Sequence, residues 1–255
     1  MATSAAAARL RYLLCLADTC LVLAQRLSEW CGHAPVLEED IALANVALDL
    51  LGQARALLTH VGRVEGRGRD EDALAFLREE REYLNVTMAE LPRGDFAFTM
   101  LRNAMLATLL ELLWQRLADS TDAELAAIAA KAVKETRYHR RHAADWVVRL
   151  ADGTDESRRR CECALAELWR YAAEWFEPGD AVDEAAAAAG LGPRWSDLRA
   201  PWHAAMRTLL DEAVLAEPAA TAFRSAGRHG RHSEHMGRLL AEMQYLQRAY
   251  PGGAW

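Results

Sequence analysis

The chain has 255 residues, of which 51 are alanine, and 28 of its 30 basic residues are arginine. Alanine, leucine, arginine and glutamate favour helices, so this composition predicts a helix-rich globular protein and excludes an all-β, collagen-like or disordered chain. The net charge of −7 argues against a nucleic-acid binder, and apolar runs too short for a bilayer predict no membrane span.

Helix-breaking residues are few, and they divide the chain into long periodic segments. Apolar residues three and four apart, with short connections, indicate an all-α antiparallel bundle with additional helices, forming one domain over residues 1–255. Five cysteines without metal-type spacing predict reduced thiols in the cytoplasm. The predicted helices cover about residues 4–30, 36–64, 70–91, 95–118, 122–150, 154–177, 182–189, 197–216 and 233–250.

Three acidic residues interrupt the apolar stripes of these predicted helices. Asp49, Glu80 and Glu135 each lie at helical spacing among residues that we expect to be buried. Carboxylate-bridged di-iron bundles use such acids, and two of their helices carry Glu-x-x-His, because residues three apart leave one helix face together. Here the positions that should hold histidine hold Tyr83 and Tyr138.

The fourth acid of such a site is also missing. At the matching depth the fourth helix has Ala107, and the nearest acid of that helix, Glu111, lies one turn farther on. On the fifth helix, His139 is one residue past the position that should hold a histidine ligand. A neutral phenol is a poor substitute for imidazole, so we predict a vestigial di-iron site with no metal, cofactor or catalytic residue in this chain. Because buried carboxylates need a counter-charge, we expect Lys131 or Arg81 at the former metal position.

Long blocks of the sequence resemble one known family of proteins. Residues 18–55, 131–157 and 232–255 are similar, in the same order, to the PaaC-type subunit of ring 1,2-phenylacetyl-CoA epoxidase. The resemblance extends over nearly the whole chain and implies a ferritin-like helical fold. It also implies the role of a non-catalytic structural subunit in a bacterial monooxygenase complex that uses O2 and NADPH in aerobic phenylacetate breakdown.

The resemblance further implies which partners carry the cofactors. A PaaA-type catalytic subunit would hold the di-iron centre and bind the CoA thioester. A small PaaB-type subunit and a PaaE-type reductase with flavin and iron–sulfur groups would complete the complex, and homodimer contacts are an open possibility. Two alternatives remain: a di-metal oxygenase with an altered ligand set that recruits Glu111 and His139, and a metal-free protein that binds a CoA thioester.

Two features near the carboxyl end complete the sequence-based expectations. The histidine-rich segment 227–237 is interpreted as a glycine-containing loop followed by a helix start, with anion or partner binding by Arg228 and Arg231 as an alternative. Trp255 follows a short segment that is expected to end the last helix and to be flexible. We therefore expect its side chain either to dock on a neighbouring protein or to pack on its own chain.

Overall fold

The computed structural model describes residues 5–253, which form helices joined by turns and loops and contain no β-strand. This confirms the all-α class. From its residue type and position, Ser4 is predicted to cap the first helix, but Ser4 and Trp255 both lie outside the described residues. The helices are α1 Ala5–Ser28, α2 Leu37–Glu65, α3 Glu71–Phe76, α4 Thr87–Glu90, α5 Phe96–Leu117, α6 Ala123–Ala151, α7 Asp155–Trp169, α8 Ala181–Ala188, α9 Arg199–Glu212, α10 Glu234–Met243 and α11 Tyr245–Ala249. Short 3-10 segments cover Glu80–Glu82, Arg170–Phe176, Trp195–Leu198 and Gly227–His229.

The chain forms two compact units. The first contains Met1–Pro92 together with Ser225–Trp255, and the second contains Arg93–Arg224. The carboxyl-terminal helices α10 and α11 therefore belong with the amino-terminal helices. The single ferritin-like domain expected from the sequence stays a prediction.

In the first unit, α1 and α2 are the long helices and pack along each other. Most of α1 is buried, including its polar residues Asp18 and Thr19. On α2 only one face is buried, with Leu43, Leu50 and Leu57 at the centre of that face. The helix ends at Gly66 in the left-handed conformation, which glycine adopts without the steric cost of a Cβ atom.

In the second unit, α5 and α6 form the main helix pair, and α7 and α9 pack against α5. The side chain of Asp95 accepts a hydrogen bond from the amide of Phe98 at 2.8 Å and caps α5. The indole nitrogen of Trp202 donates to the carbonyl of Met105 at 3.0 Å, which ties α9 to the middle of α5. This unit thus has α5 as its central, almost fully buried helix.

Two of these helices, α2 and α5, have the length and mean hydropathy of a membrane span. In α5, 89% of the most apolar 18-residue window is buried inside the protein, which is typical of a core helix. In α2 the corresponding share is 44%. The helix α2 therefore keeps an apolar face that the other described residues of the chain do not cover.

The prediction of one long helix over residues 70–91 is wrong. The structure has the short α3, the 3-10 turn Glu80–Glu82 and the short α4 in its place. The backbone here bonds to distant partners, since the amide of Leu84 donates to Asp18 and the amide of Val86 donates to Thr19. Tertiary hydrogen bonds with α1 therefore replace the i to i−4 bonds that a continuous helix would need.

Candidate functional site

The first unit contains three of the six positions that the sequence assigned to a vestigial metal site. Asp49 is partly buried on α2, whereas Tyr83 is completely buried. Glu80 is exposed in the 3-10 turn, so its expected position on an inward helix face is wrong. The reason is the interruption of the helix before Glu80, which removes the periodicity on which the expectation was based.

Tyr83 is held by hydrogen bonds that occupy its hydroxyl group. That group donates to the carbonyl of Ala75 and accepts from the side-chain amide of Gln244 at 2.9 Å. The guanidinium of Arg78 lies 4.2 Å from the centroid of the Tyr83 ring. Burial raises the pKa of Tyr83 to about 12, so the phenol stays neutral and is a poor metal ligand.

A buried ion pair between Arg78 and Asp18 lies next to this tyrosine. Both side chains are essentially inaccessible, and the guanidinium donates to both carboxylate oxygens, with Nη1 to Oδ2 at 3.0 Å. Arg78 also donates to the carbonyls of Leu74 and Glu82, and Asp18 accepts from the amide of Leu84 at 2.9 Å. This network satisfies both charges internally, as a buried pair requires.

Neither of the two cations expected beside the vestigial site, Arg81 and Lys131, is buried. Arg81 is exposed, and the buried guanidinium in this segment belongs to Arg78. Lys131 does contact Glu135, with Nζ 3.4 Å from Oε1, but this lysine is 78% exposed and the pair spans one surface turn of α6. The sequence missed Arg78 because the helix pattern did not reveal its partner, which is 60 residues away.

A second buried polar cluster in the first unit involves Glu90 and His232. One oxygen of Glu90 accepts from Asn85 at 2.8 Å and lies 2.7 Å from Nδ1 of His232, and the other accepts from the amide of Ser233 at 2.6 Å. The second ring nitrogen of His232 lies 3.0 Å from the carbonyl of Tyr83. Both ring nitrogens thus face acceptors, an arrangement that fits the doubly protonated imidazolium.

The pKa of His232 reflects opposing effects. Burial favours the neutral ring, but the hydrogen bond and negative charge of Glu90, together with the carbonyl of Tyr83, outweigh it and raise the pKa of His232. The sequence identified segment 227–237 as a loop and helix start, and Ser233 does cap α10. It gave no signal for Glu90, which lies 142 residues before His232.

The second unit contains the other three positions. Ala107 is buried on α5, and Glu135 and Tyr138 lie on α6. Tyr138 is 44% exposed and stacks on His142, with ring centroids 6.0 Å apart. This places the Tyr138 phenol at the surface of the unit.

Glu111, the acid recruited in the altered-ligand alternative, already has strong partners. Its Oε1 accepts from Nε of Arg137 at 3.1 Å and from Gln115 at 3.2 Å, and its Oε2 accepts from Nε of Arg140 at 2.5 Å. The carboxylate of Glu111 is buried, whereas Arg137 is largely exposed and Arg140 partly exposed. Two guanidinium groups thus occupy the oxygens that a metal ion would need.

The donor set of these positions does not fit a di-iron centre. Within residues 5–253, no three histidine, cysteine, aspartate or glutamate side chains are grouped so that they could hold a metal ion. Tyr83 has its hydroxyl engaged, and Ala107 offers no donor atom. Whether the six positions are the remnant of a metal site stays a prediction.

Comparison with known proteins gives a family match over the full chain and a relative that covers nearly all of it. The model of the family PaaA_PaaC, described as phenylacetic acid catabolic protein, matches residues 1–255. The C subunit of the 1,2-phenylacetyl-CoA epoxidase of Escherichia coli (strain K12) is 48% identical over 244 residues, which cover 96% of this chain and 98% of that protein. The resemblance noted in the sequence blocks is thereby confirmed.

Proposed function

Because the chain belongs to the phenylacetic acid catabolic protein family, we propose that it is the non-catalytic structural subunit of a multicomponent 1,2-phenylacetyl-CoA epoxidase. The observation that carries this proposal is the 48% identity to the C subunit of the Escherichia coli epoxidase, which extends over almost the full length of both proteins. Because the match covers nearly all of both chains, the assignment of the subunit role is based on the full sequence and not on a short motif.

The chemistry of the interior supports a structural role. Arg78 neutralises Asp18 internally, and Arg137 and Arg140 neutralise Glu111. In a di-iron subunit, carboxylates inside the bundle coordinate metal, and iron balances their charge. Here arginines balance Asp18 and Glu111, so neither carboxylate needs a metal ion as its counter-charge.

The finer part of the proposal concerns the partners. We expect a PaaA-type subunit that holds the di-iron centre, a small PaaB-type subunit, and a PaaE-type reductase that carries flavin and an iron–sulfur group. The reductase would deliver electrons from NADPH, and the catalytic subunit would use O2 to epoxidise the ring of phenylacetyl-CoA. This chain would bind and support the catalytic subunit in the cytoplasm.

Co-expression with the catalytic subunit tests this assignment. The tagged full chain should co-purify with an untagged PaaA-type subunit at a fixed ratio, and iron should follow the amount of that partner. Purified alone, the chain should contain less than about 0.1 iron per chain, because the donor set described above does not fit a metal pair. A chain that contains about two irons on its own, or that never associates with the catalytic subunit, would contradict the proposal.

Metal content and phenylacetyl-CoA binding of the chain purified alone separate the two alternatives. A di-metal oxygenase with an altered ligand set would carry metal in the absence of the partner, and its metal content would fall in Glu111→Gln. A metal-free protein that binds a CoA thioester would bind phenylacetyl-CoA alone in calorimetry and would not require the catalytic subunit. A matched control is Glu156→Gln, which removes an exposed carboxylate of α7 that also pairs with two arginines, Arg159 and Arg160.

A further inference from the structure

The stretch of chain after α3 has a helical sequence but a mostly non-helical backbone. Leu77, Leu84 and Leu91 recur every seven residues, and Met88 lies between the last two, a spacing typical of one apolar helix face. In the structure this stretch contains only a 3-10 turn and the short α4. We call residues 77–91 the interrupted segment. A local preference that the fold overrides marks a place where two conformations can compete.

The interrupted segment is enclosed from two sides. Every residue from Tyr83 to Leu91 is buried, although an amphipathic helix would leave one face in water. On one side α1 contributes Asp18 and Thr19, which accept hydrogen bonds from backbone amides of the segment. On the other side lie residues 226–248, which we call the latch and which bond to the segment at several points. The conformation of the segment therefore depends on both neighbours.

Side chains of the latch occupy carbonyl groups that a continuous helix would use. In a helix each carbonyl accepts from the amide four residues farther on. Here the carbonyl of Arg78 accepts from Nε2 of Gln244 at 3.0 Å and from Nη2 of Arg248 at 3.0 Å. The carbonyl of Tyr83 lies 3.0 Å from Nε2 of His232. The latch therefore stabilises the interruption by replacing hydrogen bonds of the helix.

The first loop of the latch contacts the interrupted segment through its backbone. The amide of Gly227 donates to the hydroxyl of Thr87 at 3.0 Å, and a Cβ atom added at Gly227 would lie 2.4 Å from the carbonyl oxygen of Asn85. A Cβ atom added at Gly230 would lie 2.5 Å from the carbonyl oxygen of Arg81. Gly230 also has φ +72, a left-handed conformation that glycine adopts readily. Two glycines thus permit a contact that larger residues would prevent.

The apolar contact of the latch with the rest of the first unit is small. Its buried apolar side chains are Met236, Leu239 and Leu240, all on α10, and α11 contributes none. Segments with few buried apolar residues open at a lower cost in free energy than the whole domain. The latch can therefore undock while α1 and α2 remain folded.

We propose that the latch is a conformational switch: docked, it holds the interrupted segment non-helical, and when it undocks, the segment joins α3 in one helix over residues 71–91. In that helix the amides of Glu82 and Thr87 take the two carbonyls that the latch releases. The amides of Leu84 and Val86 leave α1 at the same time. This goes beyond the structural role in the epoxidase complex, since the rearrangement occurs within one chain and requires no partner.

Hydrogen exchange of the full chain measures the undocking. Gly230→Ala places a Cβ atom in the backbone contact and should speed exchange of the latch amides about 10-fold or more, while α5 exchanges as in the wild type. Gln244→Ala, which removes the bonds to Arg78 and Tyr83, is a milder second variant with the same expected direction. The matched control is Gly32→Ala. Gly32 has φ +76, but a Cβ atom there would meet nothing within 4 Å, so exchange of the latch should not change.

The NMR chemical shift of the Cα carbon of Tyr83 reports the conformation of the interrupted segment. Tyr83 is extended in the docked state, with φ −80 and ψ 146. The chain has 6 tyrosines, so selective labelling gives few signals, and the one missing in Tyr83→Phe belongs to this residue. We expect an extended value in the wild type and in Gly32→Ala, and a helical value in Gly230→Ala.

A proline at residue 80 separates the two conformations. In the docked state Glu80 is the first residue of the 3-10 turn and Glu79 before it is extended, an arrangement that accepts proline. In a continuous helix the same proline would lie in the interior and lower the population of the helix about 100-fold. Glu80→Pro alone should therefore leave the wild-type shift unchanged, and combined with Gly230→Ala it should abolish the helical value. Glu80→Ala in the Gly230→Ala chain is the matched control and should keep that value.

Three outcomes would overturn the proposal. The first is an extended Tyr83 in Gly230→Ala after its latch exchanges faster, because α1 alone would then hold the interruption. The second is a helical value that persists with Glu80→Pro, and the third is a latch whose exchange changes no more in Gly230→Ala than in Gly32→Ala. None of these results changes the subunit assignment, which is tested by co-purification and iron content.

Discussion

The buried pair of Arg78 and Asp18 allows a quantitative test of how the first unit is stabilised. In Asp18→Asn the side-chain volume is nearly unchanged, but the guanidinium loses its counter-charge at a site that is only 1% exposed. Removing one partner of a buried ion pair costs about 3–5 kcal/mol, because the remaining charge stays desolvated. A typical domain has a free energy of unfolding of about 5–15 kcal/mol, so this single change should remove a large fraction of the stability.

The assay is urea unfolding at neutral pH, followed by circular dichroism at 222 nm and by tryptophan fluorescence. We expect Asp18→Asn to lower the free energy of unfolding by about 3–5 kcal/mol and the thermal midpoint by about 10 °C. The double variant Asp18→Val and Arg78→Met should recover part of the loss, since it removes both charges together.

A matched control is available at the surface of α6. Lys131→Ala removes an ion pair whose lysine is 78% exposed, so the expected change is below about 1 kcal/mol. The reasoning would be refuted if Asp18→Asn changed the free energy of unfolding no more than Lys131→Ala does.

Two other predictions follow from the first unit. Although burial favours the neutral ring, the hydrogen bond and charge of Glu90 raise the pKa of His232 in the folded protein. This interaction makes a stabilising contribution that is fully present below the ordinary value of 6.5 and is lost as the pH rises through the raised value. The stability difference between wild type and His232→Asn, measured by urea unfolding from pH 6 to pH 9, should therefore shrink with increasing pH, and a constant difference would contradict the charged state. Gly62→Ala should lower the free energy of unfolding by about 1–3 kcal/mol in the same assay, because its new Cβ would lie 2.2 Å from the carbonyl oxygen of Arg69. An unchanged or raised free energy of unfolding would contradict this steric argument.

Local sequence signals predicted the long helices and their ends well. The bounds of α2 and α5 agree with the expected ones to within one or two residues. Asp70, Asp95 and Asp122, which stand at the start of three of the predicted helices, cap α3, α5 and α6. These features depend on apolar periodicity and on side chains that bond the nearest free amides. Both are properties of a short stretch of chain, and they can be identified without knowledge of the rest of the fold.

The candidate site could be predicted only in part, because its contacts join distant parts of the chain. The replacement of histidine by Tyr83 and Tyr138 was visible at once, and so was Ala107 in place of an acid. By contrast, the exposure of Glu80 depends on the break in the helix before it, which is stabilised by bonds from the backbone to Asp18 and Thr19 on α1. Helix propensity over residues 77–86 contains no information about these partners.

The sequence by itself determined the helical class, the family and the absence of the usual ligand residues at Tyr83, Ala107 and Tyr138. The tertiary structure decided how the buried charges are balanced: Arg78 pairs with Asp18, and His232 pairs with Glu90. The physical reason is that burial and charge pairing depend on residues brought together by folding, whereas periodicity and residue identity are already present in the unfolded chain.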